Sequence, residues 1–588
     1  MPSVPNHFAN HDRLRRELRE FATSDRTAEL KVAVLTGPSG IGKTALALRT
    51  AADLAPALRL HADLGVDPQA PGAASETLRR FLLELGMPAD AVPDRLSARS
   101  AAFRALTRNR RVLVIIDGAG TAAQVRALLP DLGLVLVTEA RPLSLDARFF
   151  ALPPLTPDAA RSLLADAEPE IVDKVIELAA GLPLALRVAD ALLARADRPT
   201  FAADIFTTAY QSLGGPAQRC YRALALPGTT ADIGIDALAA ALPTTDVRAA
   251  MTDLVAARLA DEPTANRFRT SDVVRQHART IAPPDPGAIT RLREHYLTRC
   301  AAAYRASNRW PQTEPWFTCP PGTGPVDLAW FDTERDNIRA ALEHAFATGE
   351  RDLVATWCVL LWPYYEHGKH TADLLATHEL GSQTANPALR ALLLARTGFA
   401  HLFTGDTDQA IAACTEAVAL ATTIDLRLAA TALEALGLAH LAAGNRVQAR
   451  QALRRNLDLA RRTGEPRRIA LACLHNAKVE PPELALPLLD EAAPHFANDP
   501  VNLAKTRLWR GRALTEHGDL ASARQTLDLA LAEFTSLRRP FDRAEALAAR
   551  GDLNTIEGHL DQARADYAQA RAVFEEWGFS QRAAALPG

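Results

Sequence analysis

The chain has 588 residues, of which 48% are hydrophobic and 23% are charged, a balance typical of globular domains. Its formal net charge of −3 excludes an overall positive field that would draw the whole chain to nucleic acid or anionic lipid. This length exceeds what a single hydrophobic core supports, so we expect about three to five domains.

Cysteine spacing and hydropathy exclude several further classes. The six cysteines form no Cys-x-x-Cys pair, so neither a zinc site nor a redox motif is predicted. The first residues lack the apolar core of a signal peptide, and no apolar run approaches the ~20 residues of a membrane span. These observations predict a cytoplasmic protein without a membrane partner.

Residues 31–150 alternate apolar, strand-like runs with helical segments. The runs are KVAVLT (31–36), RVLVIIDG (111–118) and LGLVLVTEA (132–140). Buried strands separated by helices are typical of a parallel sheet covered on both faces. Residues 1–150 are therefore assigned to an α/β domain.

The sequence GPSGIGKT, at residues 37–44, satisfies the pattern G-x-x-x-x-G-K-[ST] between a predicted strand and a predicted helix. Glycines there let successive N–H groups face phosphate oxygens, and the helix adds its positive N-terminal end. Lys43 is expected to reach the β- and γ-phosphates, and Thr44 to offer its hydroxyl to Mg²⁺. A chance loop is the alternative, which the strand–loop–helix context disfavours. The predicted nucleotide contacts in this loop are Gly37, Pro38, Ser39, Gly40, Ile41, Gly42, Lys43, Thr44 and Ala45.

Asp117 ends the second predicted strand and is the predicted catalytic carboxylate and, with Thr44, the predicted Mg²⁺ ligand. Many P-loop ATPases place a second acid at the next position to orient the attacking water, but this chain has Gly118. General-base assistance is worth a factor of about 10²–10⁴, so hydrolysis is expected to be slow or absent. Glu139, at the end of the third predicted strand, is the nearest substitute.

The chain then becomes helical. Residues 151–204 contain helices only, and residues 205–283 indicate a small helical module with two short segments around a Pro/Asn turn. A Pro-rich linker at 282–287 follows. Residues 288–385 are again predicted to be helical.

The C-terminal third carries a repeat in which a glycine is followed seven residues on by another glycine and five further on by an alanine. Its copies begin at Gly398, Gly437, Gly511 and Gly551, and a degenerate copy lies at 470–496. Such small residues let antiparallel helices approach closely, and the helix pairs must stack to bury their apolar faces. The alternative is an Ala-rich bundle with accidental glycines, which four copies in register disfavour. The pattern resembles tetratricopeptide repeats over 386–588.

The motifs occur in the order found in NB-ARC domains of the STAND class, signal-transducing ATPases with numerous domains. They are GPSGIGKT, RVLVIIDGAGTAAQVRALLP, LVLVTEARPL, LPPLTPDAARSLL and GLPLAL. The chain is most similar to the branch found in Streptomyces antibiotic regulatory proteins. This resemblance implies a multidomain fold with an α/β P-loop domain (1–150), a helical domain (151–204), a winged-helix domain (205–283), a helical linker with first repeats (288–385) and an all-α tetratricopeptide superhelix (386–588).

The resemblance also implies an ADP- or ATP-binding site between the first three domains, closed by ADP and opened by exchange for ATP. Pro183 would then lie near the base and ribose, with Phe8 in the entry loop, Arg141 near the γ-phosphate and Ser271 near the β-phosphate. It implies a monomer with ADP bound and allows an oligomer with ATP bound. Adenine itself is inferred from the resemblance alone.

Several positions depart from the family pattern. The entry loop has His11 in place of the usual arginine, and Arg141 lies one place later than the usual sensor arginine. Ser271 replaces a histidine in the winged helix, and it can hydrogen-bond a phosphate without bringing a charge. His277, six residues on, is interpreted as a helix-surface residue. These changes weaken γ-phosphate sensing and catalysis more than binding.

The repeats are expected to bind a protein or peptide partner. Candidate contacts are Trp357, Trp362, Tyr364, Tyr365, Arg507 and Arg510, although ordinary packing or a solvated face is the favoured interpretation of each.

No cluster of Lys and Arg marks a recognition helix in 205–283, which argues against direct DNA binding. The favoured function is a nucleotide-controlled signalling switch in transcriptional, stress or secondary-metabolism regulation. An active oligomeric ATPase and a repeat adaptor with a structural nucleotide are the alternatives.

Overall fold

The computed structural model describes residues 11–24, 30–54, 58–64, 72–108, 110–141, 143–164, 168–195, 204–230, 232–307, 316–324, 328–368, 370–537, 539–576 and 580–587. The chain packs into two compact units. The first contains Met1–Thr77, Thr107–Pro311 and Pro320–Gly349, and the second contains Leu78–Leu106, Gln312–Cys319 and Glu350–Gly588.

A five-stranded parallel sheet forms the centre of the first unit. Its strands are β1 (Leu30–Thr36), β2 (Leu58–Asp63), β3 (Val112–Asp117), β4 (Gly133–Glu139) and β5 (Arg148–Ala151), in the order β2-β3-β4-β1-β5. The three predicted strands are confirmed as β1, β3 and β4. The edge strands β2 and β5 are short and partly exposed, so their sequences lack the continuous apolar run of a central strand.

Helices precede and connect the strands of this sheet. They are α1 (Asp12–Thr23), α2 (Lys43–Leu54), α3 (Ala73–Glu84), α4 (Leu96–Thr107) and α5 (Ala122–Ala127), with a 3₁₀ turn at Ala89–Ala91. One core cluster joins α1 and α2 to the sheet through Leu18, Leu46, Ile115, Leu136 and Phe150. Most of α3 and α4 belongs to the second unit, within Leu78–Leu106.

A run of short helices leads away from the sheet: α6 (Pro157–Arg161), α7 (Pro169–Ala179), α8 (Pro183–Leu193) and α9 (Ile205–Ser212). Gly181, between α7 and α8, has φ +70°. A Cβ atom added there would lie 2.7 Å from the carbonyl oxygen of Leu155, so only glycine allows this approach. The glycine therefore fixes where α8 begins.

The next module combines four helices with a three-stranded antiparallel sheet in the order β6-β8-β7. Its elements are α10 (Gly215–Ala223), β6 (Asp232–Gly234), α11 (Ile235–Ala241), α12 (Val247–Ala256), β7 (Asp261–Thr264), β8 (Arg267–Arg269) and α13 (Asp272–Ile281). Strands β7 and β8 are the hairpin that the Pro/Asn turn predicts. The first unit then continues with α14 (Pro286–Ser307) and α15 (Leu328–Ala347).

Antiparallel helix pairs build most of the second unit. They are α16 (Arg351–His367) with α17 (Thr371–Gly381), α18 (Pro387–Thr404) with α19 (Thr407–Ala421), α20 (Leu426–Ala442) with α21 (Arg446–Thr463), α22 (Pro466–Ala477) with α23 (Pro482–Ala492), α24 (Pro500–His517) with α25 (Leu520–Ser536), and α26 (Pro540–Ile556) with α27 (Leu560–Glu576). A 3₁₀ turn at Ala493–Phe496 follows α23, and α28 (Ser580–Ala584) follows α27. The degenerate copy of the repeat is the shortened pair α22–α23.

The repeat glycines have the structural role that their spacing predicts. The first glycine of each copy lies where two helices touch: a Cβ added at Gly437 would be 2.5 Å from Leu453 Cγ, and one at Gly511 would be 2.5 Å from Leu527 Cγ. The second glycine follows the first helix with a left-handed backbone, as at Gly405 and Gly518. The predicted tetratricopeptide fold is confirmed. Among the described helices, none combines the length and the apolar character needed to cross a bilayer.

Candidate nucleotide site

The carboxyl ends of the central strands bring several polar residues of the first unit together. In the sheet register, Thr36 of β1 pairs with Glu139 of β4, and Asp117 of β3 pairs with both Thr138 of β4 and Asp63 of β2. Ligands of open parallel sheets bind at this edge, beyond the ends of the strands.

The predicted phosphate loop connects β1 to α2 at the same edge. Gly37, Gly40 and Gly42 have φ values of +149°, +82° and +99°, and no atom lies within 4 Å of a Cβ added at Gly42. Lys43 folds back over the loop, where its Nζ donates to the carbonyl oxygens of Gly37 at 2.7 Å and Pro38 at 3.0 Å. These glycine conformations and the N-terminus of α2 suit a loop whose backbone N–H groups face an anion.

The positive charge of Lys43 is balanced only in part by its hydrogen bonds to the two loop carbonyl groups. Burial lowers its pKa, while the carboxylates of Asp117, Glu139 and Asp272 act in the opposite direction. Among the described residues, no carboxylate lies within 4 Å of its ammonium group. The lysine is therefore available to pair with a phosphate, and the loop fits a nucleotide on charge as well as on backbone geometry.

Asp117 and Thr44 meet directly. Thr44 Oγ1 is 2.9 Å from each carboxylate oxygen of Asp117, and Thr138 Oγ1 donates a further hydrogen bond to the same carboxylate. Burial raises the pKa of Asp117, with the nearby Asp63 adding to the shift and both hydroxyls opposing it. A hydroxyl and a carboxylate are oxygen ligands of the kind that Mg²⁺ takes in such sites, so these residues fit the predicted metal role.

The position after Asp117 has no side chain that could act as a base. Gly118 has φ +70°, and its N–H donates to the carbonyl oxygen of Thr138 at 3.1 Å. Glu139, the expected substitute, accepts a hydrogen bond from the N–H of Ala140 through Oε1 at 2.6 Å. Its Oε2 is buried without a hydrogen-bond partner among the described residues. An unpaired carboxylate oxygen at this edge is consistent with a group that contacts a bound species.

Two other segments of the first unit lie next to the loop at Gly40. The N–H of Leu184 donates to the Gly40 carbonyl oxygen at 3.4 Å, and a Cβ added at Gly40 would lie 3.3 Å from Leu184 Cβ and 3.9 Å from Val273 Cγ2. Leu184 follows Pro183 at the start of α8, and Val273 lies in the first turn of α13. The loop is thus hydrogen-bonded to the start of α8, and the first turn of α13 lies beside it.

An ion pair makes a second connection at the same edge. Arg269, at the end of β8, lies 3.1 Å from Asp63 at the end of β2, and it also lies 3.4 Å from Asp232 of β6. The small antiparallel sheet is thereby tied to the strand that neighbours Asp117.

The remaining predicted contacts have varied surroundings. Pro183 is the first residue of α8, beside Leu184. Ser271 caps α13, with its hydroxyl accepting from the N–H of Val274 at 3.4 Å, so that hydroxyl is already engaged. Arg141 is exposed after β4. Phe8 lies outside the described residues.

His11, which replaces the family arginine, is 9% exposed and has a left-handed backbone with φ 68°. Its Nε2 is buried without a hydrogen-bond partner among the described residues, and burial lowers the pKa of the imidazole. The neutral ring therefore contributes a hydrogen-bonding group and no fixed charge.

The interpretation of His277 as a helix-surface residue is wrong. Its ring nitrogens lie 2.6 Å from Tyr221 OH and 3.0 Å from Thr207 Oγ1, and its side chain is 14% exposed. The ring also packs 5.9 Å from Phe206, measured between ring centroids. His277 joins α13 to α9 and α10 because these partners, distant in sequence, supply both an aromatic wall and hydrogen bonds.

The candidate partner contacts on the repeats are mostly accounted for by packing. Trp357 is 0% exposed and Tyr365 is 1% exposed, so the favoured interpretation is confirmed for both. Trp362 packs against the guanidinium of Arg396, 4.9 Å from its ring centroid, and Tyr364 packs on His370.

The basic candidates Arg507 and Arg510 are likewise already paired. Arg507 pairs with Glu533, and Arg510 lies 2.9 Å from Asp490. Arg507 and Arg510 are thus neutralised by acidic neighbours on adjacent helices, which the linear sequence does not reveal.

Four contributors to the site escaped sequence reasoning: Thr138, Leu184, Val273 and Arg269. Thr138 could have been found, since it directly precedes Glu139 at the end of a predicted strand beside Asp117. Leu184 and Val273 lie close in sequence to the predicted contacts Pro183 and Ser271, but their apolar side chains do not mark a site, and Arg269 is recognisable only from its tertiary contacts.

Comparison with known proteins identifies the architecture. A STAND protein with a tetratricopeptide repeat sensor from Pyrococcus horikoshii superposes with a TM-score of 0.68, covering 99% of this chain and 85% of that protein at 16% sequence identity. The fold is that of a STAND protein with a tetratricopeptide-repeat sensor. The predicted resemblance is thereby confirmed.

Two curated relatives share sequence with this chain. Both are named regulatory protein AfsR: the one from Streptomyces coelicolor is 29% identical over 413 residues, covering 59% of this chain and 41% of the relative. The one from Streptomyces griseus is 28% identical over 464 residues, covering 68% of this chain and 47% of the relative. The chain thus spans less than half the length of the curated relatives it matches. No protein-family model matches the chain.

Proposed function

We propose that this chain is a nucleotide-controlled regulatory switch, in which ADP or ATP held by the loop at 37–44 joins three segments of the first unit and the repeats bind a partner. The hydrogen bond from Leu184 to Gly40, with Val273 beside the same glycine, carries the proposal. A change in the phosphate loop would therefore affect α8 and α13, since α8 is hydrogen-bonded to Gly40 and α13 begins beside it.

Within this proposal, the chain's own residues bind and orient the nucleotide. Lys43 and the loop N–H groups hold the phosphates, and Thr44 with Asp117 holds a Mg²⁺ ion, which would neutralise phosphate charge. Pro183 lies towards the base and ribose, and Ser271, Arg141 and Phe8 complete the contacts as the family pattern implies. We retain 151–204 as the helical domain and 205–283 as the winged-helix domain.

The exchange of nucleotide acts as a switch only if the two nucleotides differ in their affinity for the two arrangements of the segments. A partner that binds one arrangement better then shifts nucleotide affinity by the same factor, because the two binding equilibria are linked. Gly118 keeps hydrolysis slow, so the nucleotide state persists until exchange. Both curated relatives are named as regulatory proteins, and a regulatory role in transcription or secondary metabolism is proposed here on that likeness.

The decisive experiment identifies the nucleotide that co-purifies with the chain and measures its exchange. We expect stoichiometric ADP or ATP after denaturation and chromatography, and its loss in Lys43→Ala. Lys31→Ala is the matched control, because Lys31 Nζ bonds to Ser24, outside the loop. A chain that neither retains nor binds ADP or ATP at millimolar concentration overturns the proposal.

Two further measurements on the same samples, of ATP turnover and of nucleotide exchange, distinguish the switch from an active ATPase and from an adaptor. Turnover above about 1 s⁻¹ in steady state indicates an active ATPase rather than a switch. Bound nucleotide that never exchanges indicates an adaptor in which the nucleotide is structural.

A further inference from the structure

A group of basic side chains lies on one face of the second unit, across the first helices of three successive repeat pairs. Glu434 lies on α20, His475 on α22 with Lys478 directly after it, and Lys505, Trp509 and Arg512 on α24. Residues 505, 509 and 512 are spaced i, i+4, i+7, which places them on one side of their helix. We call Lys478, Lys505, Trp509 and Arg512 the lysine recess.

Trp509 is the centre of the recess. Lys478 Nζ lies 5.5 Å from its ring centroid and the Arg512 guanidinium 4.9 Å, so two cations pack on one aromatic ring. These contacts hold two long side chains in defined positions and reduce the entropy lost when a ligand binds.

The arginines around the recess are neutralised, but the two lysines are not. Arg512 lies 2.9 Å from Glu545, Arg467 lies 3.2 Å from Asp499, and Arg468 lies 3.1 Å from Glu465. Within the described part of the chain, no carboxylate lies within 4 Å of the ammonium group of Lys478 or Lys505. Neither lysine therefore forms an ion pair, and the carboxylate of Glu434 acts on Lys478 from a longer distance.

Lys478 is only partly exposed, and burial together with the neighbouring Lys505 lowers its pKa to about 8. The same two lysines, after burial, lower the pKa of His475. Burial raises the pKa of Glu434, while the charges of Arg468, Lys478 and Arg467 oppose this shift, and its carboxylate lies 3.7 Å from His475 Nε2.

We propose that the lysine recess binds an acidic peptide segment of a partner protein, with successive carboxylates pairing with Lys478 and Lys505. A peptide fits better than a small anion because the two cations come from different helix pairs, along a face that continues over further repeats. Solenoid repeats present such extended faces to partners. This inference names the class of partner that the proposed switch would bind. Its role in signalling rests on the proposed function, but the binding of an acidic peptide does not.

The test is fluorescence anisotropy of a labelled octaglutamate peptide with the purified full chain at low salt. We expect saturable binding that weakens with added salt, and no comparable binding of octaglutamine. The double variant Lys478→Gln/Lys505→Gln should lose affinity by about tenfold or more, as expected when two charge-assisted contacts are removed. Arg510→Gln is the matched control, since Arg510 lies on the same helix as Lys505 but is already paired with Asp490.

Each outcome decides the proposal. Equal binding of octaglutamate and octaglutamine, or an unchanged affinity in the double variant, overturns it. If inorganic phosphate displaces octaglutamate while the ionic strength is held constant, the recess binds a small anion and the peptide proposal is overturned. Circular dichroism and thermal unfolding check that the variants fold. Lys505→Arg keeps the positive charge, so this variant should retain the affinity that Lys478→Gln/Lys505→Gln loses.

Repeating the titration with Lys43→Ala separates this inference from the proposed nucleotide site. Binding that survives in Lys43→Ala supports the recess even if the nucleotide proposal fails.

Discussion

Thr44 Oγ1 lies 2.9 Å from both carboxylate oxygens of Asp117, although the two residues are 73 positions apart. This contact joins the start of α2 to the end of β3 and leaves both groups at the edge of the sheet. It gives the part-buried carboxylate a hydroxyl partner, and the same two groups fit the predicted Mg²⁺ site.

Removing the Thr44 hydroxyl should therefore affect metal dependence before anything else. We expect Thr44→Ala to weaken Mg²⁺–nucleotide binding about tenfold or more, since a hydrogen bond or ligand contact to a charged group is worth about 1.5–3 kcal/mol. Affinity in EDTA should change little. Isothermal titration with and without Mg²⁺ measures both, with Thr50→Ala on the same helix as the control, because its hydroxyl bonds to Leu46 within the helix. Equal losses with and without metal would contradict the metal role.

Restoring an acid after Asp117 should speed hydrolysis. Gly118 has φ +70°, a backbone that Asp and Asn tolerate better than most residues. We expect Gly118→Asp to raise phosphate release at least tenfold over Gly118→Asn, which has a similar shape and backbone strain but no base. Single-turnover assays measure the rates. Equal rates in the two variants would show that a missing base does not limit turnover.

The close approach of repeat helices predicts a steric effect at Gly437. A Cβ there would be 2.5 Å from Leu453 Cγ, so Gly437→Ala should lower the free energy of unfolding by about 1–3 kcal/mol through overpacking. Adding Leu453→Ala makes room, and the double variant should lose less than the sum of the two single losses. Thermal or urea unfolding measures each. Strictly additive losses would mean that the two residues do not touch in solution.

The second unit should lose stability in mild acid because of His378. This side chain is fully buried, and burial, assisted by Arg396, lowers its pKa to about 3. Its pKa is depressed below the unfolded value of about 6.5, so protonation favours the unfolded state and stability falls as the pH drops below 6.5. Between pH 7 and pH 5 the expected loss is about 2 kcal/mol.

Urea unfolding of the parent and of His378→Gln at the two pH values tests this. The variant should be less stable at pH 7, but its pH dependence should be smaller by about that amount. A pH dependence equal to that of the parent would place the acid sensitivity on other groups.

Several features of this protein follow from local sequence patterns. The phosphate loop, the strand ending at Asp117 and the repeat glycines were all predicted, because each depends on residues close in sequence whose spacing sets backbone conformation. The short edge strands β2 and β5 were not, since partial exposure removes the apolar run that marks a central strand.

What only the tertiary structure decided are the long-range contacts. Leu184 and Val273 lie beside Gly40, and His277 is packed against Tyr221, because the fold brings together segments that are far apart in the chain. Likewise, Arg507 and Arg510 are candidate partner contacts in the sequence, whereas in the fold both are paired with carboxylates and Lys478 and Lys505 form no ion pair among the described residues. Backbone conformation is set by neighbours along the chain, but burial and charge pairing are set by whichever side chains the fold brings alongside.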